Sequence, residues 1–204
     1  PTITGTTIAS NNSTISVTLS EAVYDTNGGS GALEVGDFAL SISGGVATVA
    51  ATPSSISISG NVYTLGLTLT GTPNGSETLT VNPASSSIYD AVGNAASTTQ
   101  SNNTVTLNDQ TAPSISAIAT SALSWGAVLN LTEDNSDGTV TVTTVGAEDG
   151  QTVTITLNSA TYTGSVSSNS TTVTITAAGL QALTDGSSYT LTADVSDAAG
   201  NAAA

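Results

Sequence analysis

Two segments of the sequence set an aspartate four residues ahead of an asparagine around a glycine: Asp90-Ala91-Val92-Gly93-Asn94 and Asp197-Ala198-Ala199-Gly200-Asn201. Each offers a carboxylate and an amide oxygen on a tight loop, and the glycine permits the left-handed backbone that turns both inward. Hard oxygen donors of this kind suit calcium, which takes six to eight oxygens at about 2.3–2.6 Å. The chain holds fifteen Asp and Glu and no Lys, Arg or His, a formal charge of −15. A partly buried carboxylate must then be neutralised by backbone N–H groups, by protonation or by a bound cation. In neutral saline surroundings the cation is the expected partner.

The same composition excludes other chemistry. A field this negative repels phosphate backbones and anionic lipid, so no nucleic-acid partner is expected. Cysteine is absent, which removes disulfides and thiolate metal sites. Only Asp/Glu, Ser/Thr and Tyr remain as reactive groups. A carboxylate pair could hydrolyse glycosides, but such a site needs a cleft with aromatic platforms, and the chain has one Trp, one Phe and five Tyr. No enzyme is expected, and Trp125 in "LSWGAVL" reads as core or junction packing. No apolar run reaches the length of a membrane span, so no membrane insertion is expected. The first residue is Pro1, so the sequence reads as a processed product or a piece of something longer.

The elements that would carry these loops are strands. Ser and Thr make up a third of the chain, and apolar residues 38%. In "TISVTLS" the residues Ile15, Val17 and Leu19 share one face, and in "VYTLGLTL" Tyr63, Leu65, Leu67 and Leu69 do the same, the period of a half-buried strand. Further strands are expected at "FALSIS", "ATVAAT", "ISIS", "ETLTV" and "TVTL", then at "AVLNL", "TVTVTTV", "QTVTITL", "TYTGSV", "TTVTIT" and "SYTLTADV". Turn signals such as Gly44-Gly45, Asn74-Gly75, Glu148-Asp149-Gly150 and Asp185-Gly186 separate them as in a sandwich. Only "AAGLQAL", Ala177 to Leu183, reads as helical.

The two halves align. Pro1-Thr2-Ile3 matches Pro113-Ser114-Ile115, Leu19-Ser20-Glu21 matches Leu131-Thr132-Glu133, and both proline-to-glutamate intervals are 20 positions. This predicts two all-β domains, residues 1–109 and 110–204, joined at "NDQTAP". After Asn94 the first half runs on into "NTVTL", whereas the second stops three residues after Asn201. Its last strand is therefore expected to be missing, either through truncation of a longer array or because a neighbouring chain supplies it.

These motifs resemble the immunoglobulin-like repeats of large bacterial surface adhesins, the biofilm-associated and RTX-type extender domains. The stretches "DGTVTVTTVGAEDGQTVTITLNSATYTGSV" and "ITAAGLQALTDGSSYTLTADVSDAAGN" carry the likeness in the second half. "TLSEAVYD", "LEVGDFALSISGG" and "YDAVGNAAS" carry it in the first. The resemblance implies two tandem Ig-like β-sandwiches with structural calcium at the junctions. Its implied ligands are Glu21 and Glu133 at the end of the second strand, Asp90 with Asn94, Asp197 with Asn201, and Asp109 in the linker "DQTAP". The acidic stretch "TEDNSDG" imitates the opening of a calcium loop at Glu133, Asn135 and Asp137, but Thr144 stands where a bidentate Glu is needed. It reads as a solvated acidic turn, or as lending Glu133 or Asp134 to the junction.

The expected role is a structural, calcium-stiffened repeat of an extracellular or cell-surface adhesin or filament, its partners neighbouring repeats or identical subunits. Two other roles stay open: a fibre subunit completed by a neighbour's strand, and a glycan- or ice-binding module built on threonine ladders such as "TVTVTT".

Overall fold

The computed structural model describes residues 1–203. The chain is all-β and divides into two compact units, Pro1–Gln110 and the residues from Thr111 onward.

In the first unit the strands are β1 (Ile3–Ile8), β2 (Thr14–Leu19), β3 (Phe38–Ser43), β4 (Thr48–Val49), β5 (Ile56–Ser59), β6 (Val62–Gly66), β7 (Leu69–Thr70), β8 (Thr78–Pro83) and β9 (Thr104–Thr106). One antiparallel sheet has the order β1-β2-β6-β5 and the other β3-β8-β9, with β4 and β7 pairing separately. That is the strand order of an immunoglobulin-type sandwich. The period-two pattern decides what lies between the sheets. Ile15, Val17 and Leu19 from β2, with Tyr63 and Leu65 from β6, face Phe38 and Leu40 from β3 and Leu79 and Val81 from β8. Each fully buried aliphatic or aromatic side chain contributes about 1.5–3 kcal/mol. The stretch "VYTLGLTL" is not one strand: the register with β2 ends where Leu67 N–H bonds to Ser13 O, and Leu69 moves over to pair with Val49.

In the second unit the strands are β10 (Ser114–Ile115), β11 (Gly138–Val145), β12 (Thr152–Leu157), β13 (Ala160–Ser165), β14 (Ser170–Ile175) and β15 (Leu191–Asp194). Their sheets run β10-β11-β14 and β13-β12-β15. Val140, Val142, Val153, Ile155, Val173 and Ile175 form the core, closed at one side by helix α1 (Ala177–Gln181), whose Leu180 is 1% exposed. Thr176 caps α1 through its hydroxyl, which accepts the Gly179 N–H. Trp125 packs against this core directly over Gly138, where a Cβ would lie 2.5 Å from the indole ring.

The expected strand at "AVLNL" is absent. Residues 127–131 form turns, with Val128 and Leu131 78% and 84% exposed. The reason lies in the ladder: the first half of β11 is already bridged by Leu123 and Ser124, and its second half by β10. Alternation without a free partner edge does not make a strand.

Candidate functional site

The two Asp-x-x-Gly-Asn loops have the same internal geometry. Asn94 N–H donates to Asp90 Oδ1 at 2.8 Å and Asn94 Nδ2 to Asp90 Oδ2 at 2.7 Å. The corresponding bonds from Asn201 to Asp197 are both 2.8 Å. In each loop the glycine N–H returns to the aspartate carbonyl at 3.2 Å, with Gly93 and Gly200 at φ 90° and 92°. Those angles are why glycine stands there. A short bridge closes each loop, Tyr89 to Ala95 and Ser196 to Ala202, followed by Ala96 N–H to Ile88 O and Ala203 N–H to Val195 O, both 2.8 Å.

These donors fix the charge. The side-chain amide and N–H of Asn94, with the N–H of Val92, hold the Asp90 carboxyl below its usual range. Burial pushes Asp197 upward, but Asn201 and the N–H groups of Gly200 and Ala199 outweigh it, and its carboxyl is also held low. Both aspartates are therefore anionic at neutral pH. A carboxylate has about four lone-pair directions: the three donors on Asp90 leave one open to a cation, whereas on Asp197, which takes four, a cation would have to replace an N–H.

A glutamate accompanies each loop. In the first unit Glu21 follows the end of β2, and the Pro1 amine lies 3.2 Å from its Oε1. That amine also lowers the Asp90 carboxyl through its charge, which puts Glu21 and Asp90 at the same end of the unit. In the second unit the corresponding residue is Glu148, which follows the end of β11. Its Oε2 accepts the Ala198 N–H at 2.8 Å, inside the Asp197 loop. Sequence alignment chose Glu133 instead. Glu133 lies in a short turn, Glu133–Asn135, ahead of β11, where its Oε2 accepts the Asn130 N–H at 2.9 Å. It sits at the opposite end of β11 from Glu148, so it is not at the end of the second strand and is not gathered with Asp197 and Asn201. The signal for Glu148 was present in "GAEDG", three residues past β11, but it read as a turn.

Asp109 is placed at the other end of the first unit from Glu21 and Asp90. Its neighbour Asn108 is clamped to Asn12 by three bonds, Asn12 Nδ2 to Asn108 O at 2.7 Å, and Asn108 N–H and Nδ2 to Asn12 Oδ1 at 2.9 and 3.1 Å. Asn12 lies in the turn after β1, whereas Glu21 lies beyond Leu19, which pairs with Ile3 at the start of β1. The separation is the length of β1, about 20 Å by the strand rise. Among the described residues no three Asp or Glu side chains come together as a complete metal cage.

The rest of "TEDNSDG" has structural work. Asp137 Oδ1 accepts the Ala177 N–H at 2.8 Å, at the start of α1, and Asn135 Nδ2 bonds to Leu131 O. The threonine ladders face outward, Thr139 and Thr141 on β11 opposite Thr174 and Thr172 on β14. A carboxylate that sequence reasoning missed is Glu77. It has no exposed surface, and its Oε1 accepts the N–H groups of Val46 and Ala47 at 2.8 and 3.0 Å while Oε2 accepts that of Asn74 at 3.0 Å. Burial alone would raise its carboxyl, but those backbone donors hold it low. Gly45 lies against it at φ 59°, where any Cβ would enter the carboxylate.

No helix among the described residues is long and apolar enough to cross a membrane. No family model matches the chain, and no curated protein matches it. One solved structure similar to it belongs to work on host cell surface retention of a 1.5-MDa bacterial ice-binding adhesin, with 22% identity and a TM-score of 0.35. That match covers 95% of this chain and 55% of the other, so the chain spans about half of its length. With identity and TM-score this low, the function rests on the chain's own residues.

Proposed function

We propose that the chain is a structural segment of a bacterial extracellular or cell-surface adhesin or filament, a non-catalytic spacer whose domains take calcium where one follows another. The observation that supports this is the recurrence, at the N-terminal end of each unit, of a glutamate beside an anionic Asp-x-x-Gly-Asn loop in a chain with no basic side chain. In the second unit the ligands are Glu148, Asp197 and Asn201. In the first unit Glu21, Asp90 and Asn94 form the equivalent set. A calcium ion held by these residues would act structurally, neutralising carboxylates brought together from segments distant in sequence.

Calorimetry and small-angle scattering with calcium and with chelator test this. At calcium about 100 times the dissociation constant, the native state gains about 2.7 kcal/mol. Chelation is expected to lower the melting temperature, and Glu148→Gln is expected to remove most of the calcium-dependent part while leaving the chelated protein unchanged. Identical melting curves with and without calcium would refute the calcium reading.

A further inference from the structure

The four-stranded sheet of the first unit has one edge closed and one open. At β1 the chain from Gln100 to Thr104 closes it: Ile3 N–H donates to Gln100 Oε1 at 2.8 Å, and Thr6 Oγ1 to Thr104 O at 2.9 Å. The other edge is β5, and among the described residues no strand lies beyond it. The register with β6 fixes what β5 presents. Gly66 N–H bonds to Ser55 O, and Ser59 stands opposite Val62 across a two-residue turn. Bonded and non-bonded pairs alternate along an antiparallel ladder. Ser57 and Ser59 therefore direct their N–H and C=O groups to β6, and Ile56 and Ile58 turn theirs outward. The side chains of Ile56 and Ile58 lie on the core face, opposite Leu65 and Tyr63, yet Ile58 is 46% exposed where Tyr63 is 4%. The margin of the core is uncovered at this strand. No charge guards it, although charged side chains are a common protection of sheet edges. From Phe38 to Ser76 the chain runs thirty-nine residues without an Asp or Glu, while it holds fifteen in all.

We propose that β5 is a homophilic contact, and that its occupant is β5 of a second copy of this chain, added antiparallel about a two-fold axis through Ser57. A sheet edge presents unpaired N–H and C=O groups that an added strand satisfies, and a two-fold contact needs a self-complementary patch. The strand "ISIS" is self-complementary in this register. Ile56 comes opposite Ile58 of the second copy, and Ile58 opposite its Ile56, so the outward groups of both copies pair and the isoleucines meet over the core margin. Moving the axis by one residue would set Ile56 opposite Gly60, which has no side chain to bury. Charge points to the same arrangement. Two copies of charge −15 repel, so a neutral face is where they can meet. Ser59 lies at the end of the sheet nearest Glu21, since its partner Val62 pairs with Thr18. An antiparallel pair therefore sets the acidic ends of the two copies apart rather than side by side. A strand of four residues buries little area, which makes this a weak, concentration-dependent contact. Nothing in it involves the loop carboxylates, so it is independent of the calcium reading.

Sedimentation of the full chain from micromolar to millimolar concentration, with chelator present, tests this. A monomer–dimer equilibrium is expected, and salt should favour the dimer because screening weakens the repulsion. Ile58→Asp, which sets like charges across the pair, should leave only monomer. The chain has no cysteine, so a single introduced one reports the register. Ser57 faces Ser57 of the second copy in a non-hydrogen-bonded pair, with Cα atoms about 4.5 Å apart, within reach of a disulfide. Ser57 and Ser59 are both exposed, so cysteine at either position keeps the fold. Under mild oxidation Ser57→Cys should form a linked dimer at least about tenfold faster than Ser59→Cys, whose two sites the register holds about 13 Å apart. A chain that stays monomeric at millimolar concentration in high salt would overturn the proposal. So would equal cross-linking of the two cysteine variants, or a dimer that Ile58→Asp leaves intact.

Discussion

Asp90 and Asp197 make the same bonds to their asparagines, yet they live in different surroundings. Asp197 is sealed to 3% exposure, and Glu148 holds the Ala198 N–H beside it. Asp90 is only half-buried, and its loop is backed by neutral backbone: a Cβ at Gly93 would lie 2.6 Å from Asn27 O. The motif thus dictates its internal hydrogen bonds, and the neighbouring loops dictate how much water reaches the charge. The two units also treat buried polarity differently away from these loops. The first buries a whole carboxylate, Glu77, with three backbone donors from other residues. The second buries two threonine hydroxyls, Thr144 and Thr171, with no hydrogen-bond partner.

The largest effect is expected at Glu77. Glu77→Ala leaves the N–H groups of Val46, Ala47 and Asn74 without their acceptor, that of Ala47 in a buried position, and should destabilise the first unit by about 3 kcal/mol or more. The second unit should melt unchanged. Denaturant unfolding followed separately at the lone Trp125, in the second unit, and by far-UV dichroism of the whole chain would show this. A first unit that keeps its stability would mean the two glycine-rich loops do not depend on this carboxylate.

Next in size is the loop contrast itself. Asp197→Ala removes an acceptor from a buried loop and is expected to cost about 2–3 kcal/mol. Asp90→Ala should cost clearly less, because water replaces the lost acceptor. Equal losses, measured by calorimetry of each variant without calcium, would mean that burial does not separate the two loops.

Acid should act on both units with one opposing contribution. Glu77, Asp90 and Asp197 have carboxyls held below their ordinary values in the fold. Their stabilisation is present above the unfolded carboxylate range near pH 4 and is lost as pH falls through the lower folded values. Asp37 has the opposite sign. Burial raises it, and the charges of Asp25 and Glu34 add to this, against the Glu34 N–H that it accepts. Its ionised form disfavours the fold at neutral pH, and protonation on the way down relieves that. Glu77→Gln should therefore flatten the acid loss of the first unit, and Asp37→Asn should raise its neutral-pH stability. A pH series of melting temperatures reads both.

Most of the strands were legible because period-two alternation is a direct record of which face is buried. "TISVTLS" and "QTVTITL" place Ile15, Val17, Val153 and Ile155 on the core face at 0% exposure. The loops were legible too, because Asp, Gly and Asn each have one use at that spacing. What failed was register across an insertion. Aligning the halves at 20 positions put Glu133 where Glu21 stands, because "AVLNL" mimics a strand. Whether such a stretch pairs depends on a free edge on β11, and Leu123 and Ser124 had taken it. Glu77 was illegible for a related reason: an acidic residue at the start of "ETLTV" gives no sign that the backbone of Val46, Ala47 and Asn74 will deliver N–H groups to it.

The smallest expected effect carries the clearest sign. Thr144 and Thr171 occupy the inward face of the β11–β14 pair, where Thr171 is opposite Val142 and Thr144 N–H bonds to Asn169 O. Their side chains are 0% and 2% exposed. On the outward face of the same strands, threonine costs nothing, because water solvates the hydroxyl. Inside, each hydroxyl has lost water and gained no partner, a penalty of about 1–3 kcal/mol that is partly recovered when the group is removed. Valine has nearly the same shape, so the packing of Thr171 Cγ2 against Gly164 is retained. Thr144→Val and Thr171→Val should each raise the stability of the second unit by about 1 kcal/mol, roughly 4–8 °C for a domain of this size. Thr172→Val, on the outer face, should stay within about 0.5 kcal/mol. A loss on the inward substitutions would mean that these hydroxyls are bonded after all, to an internal water.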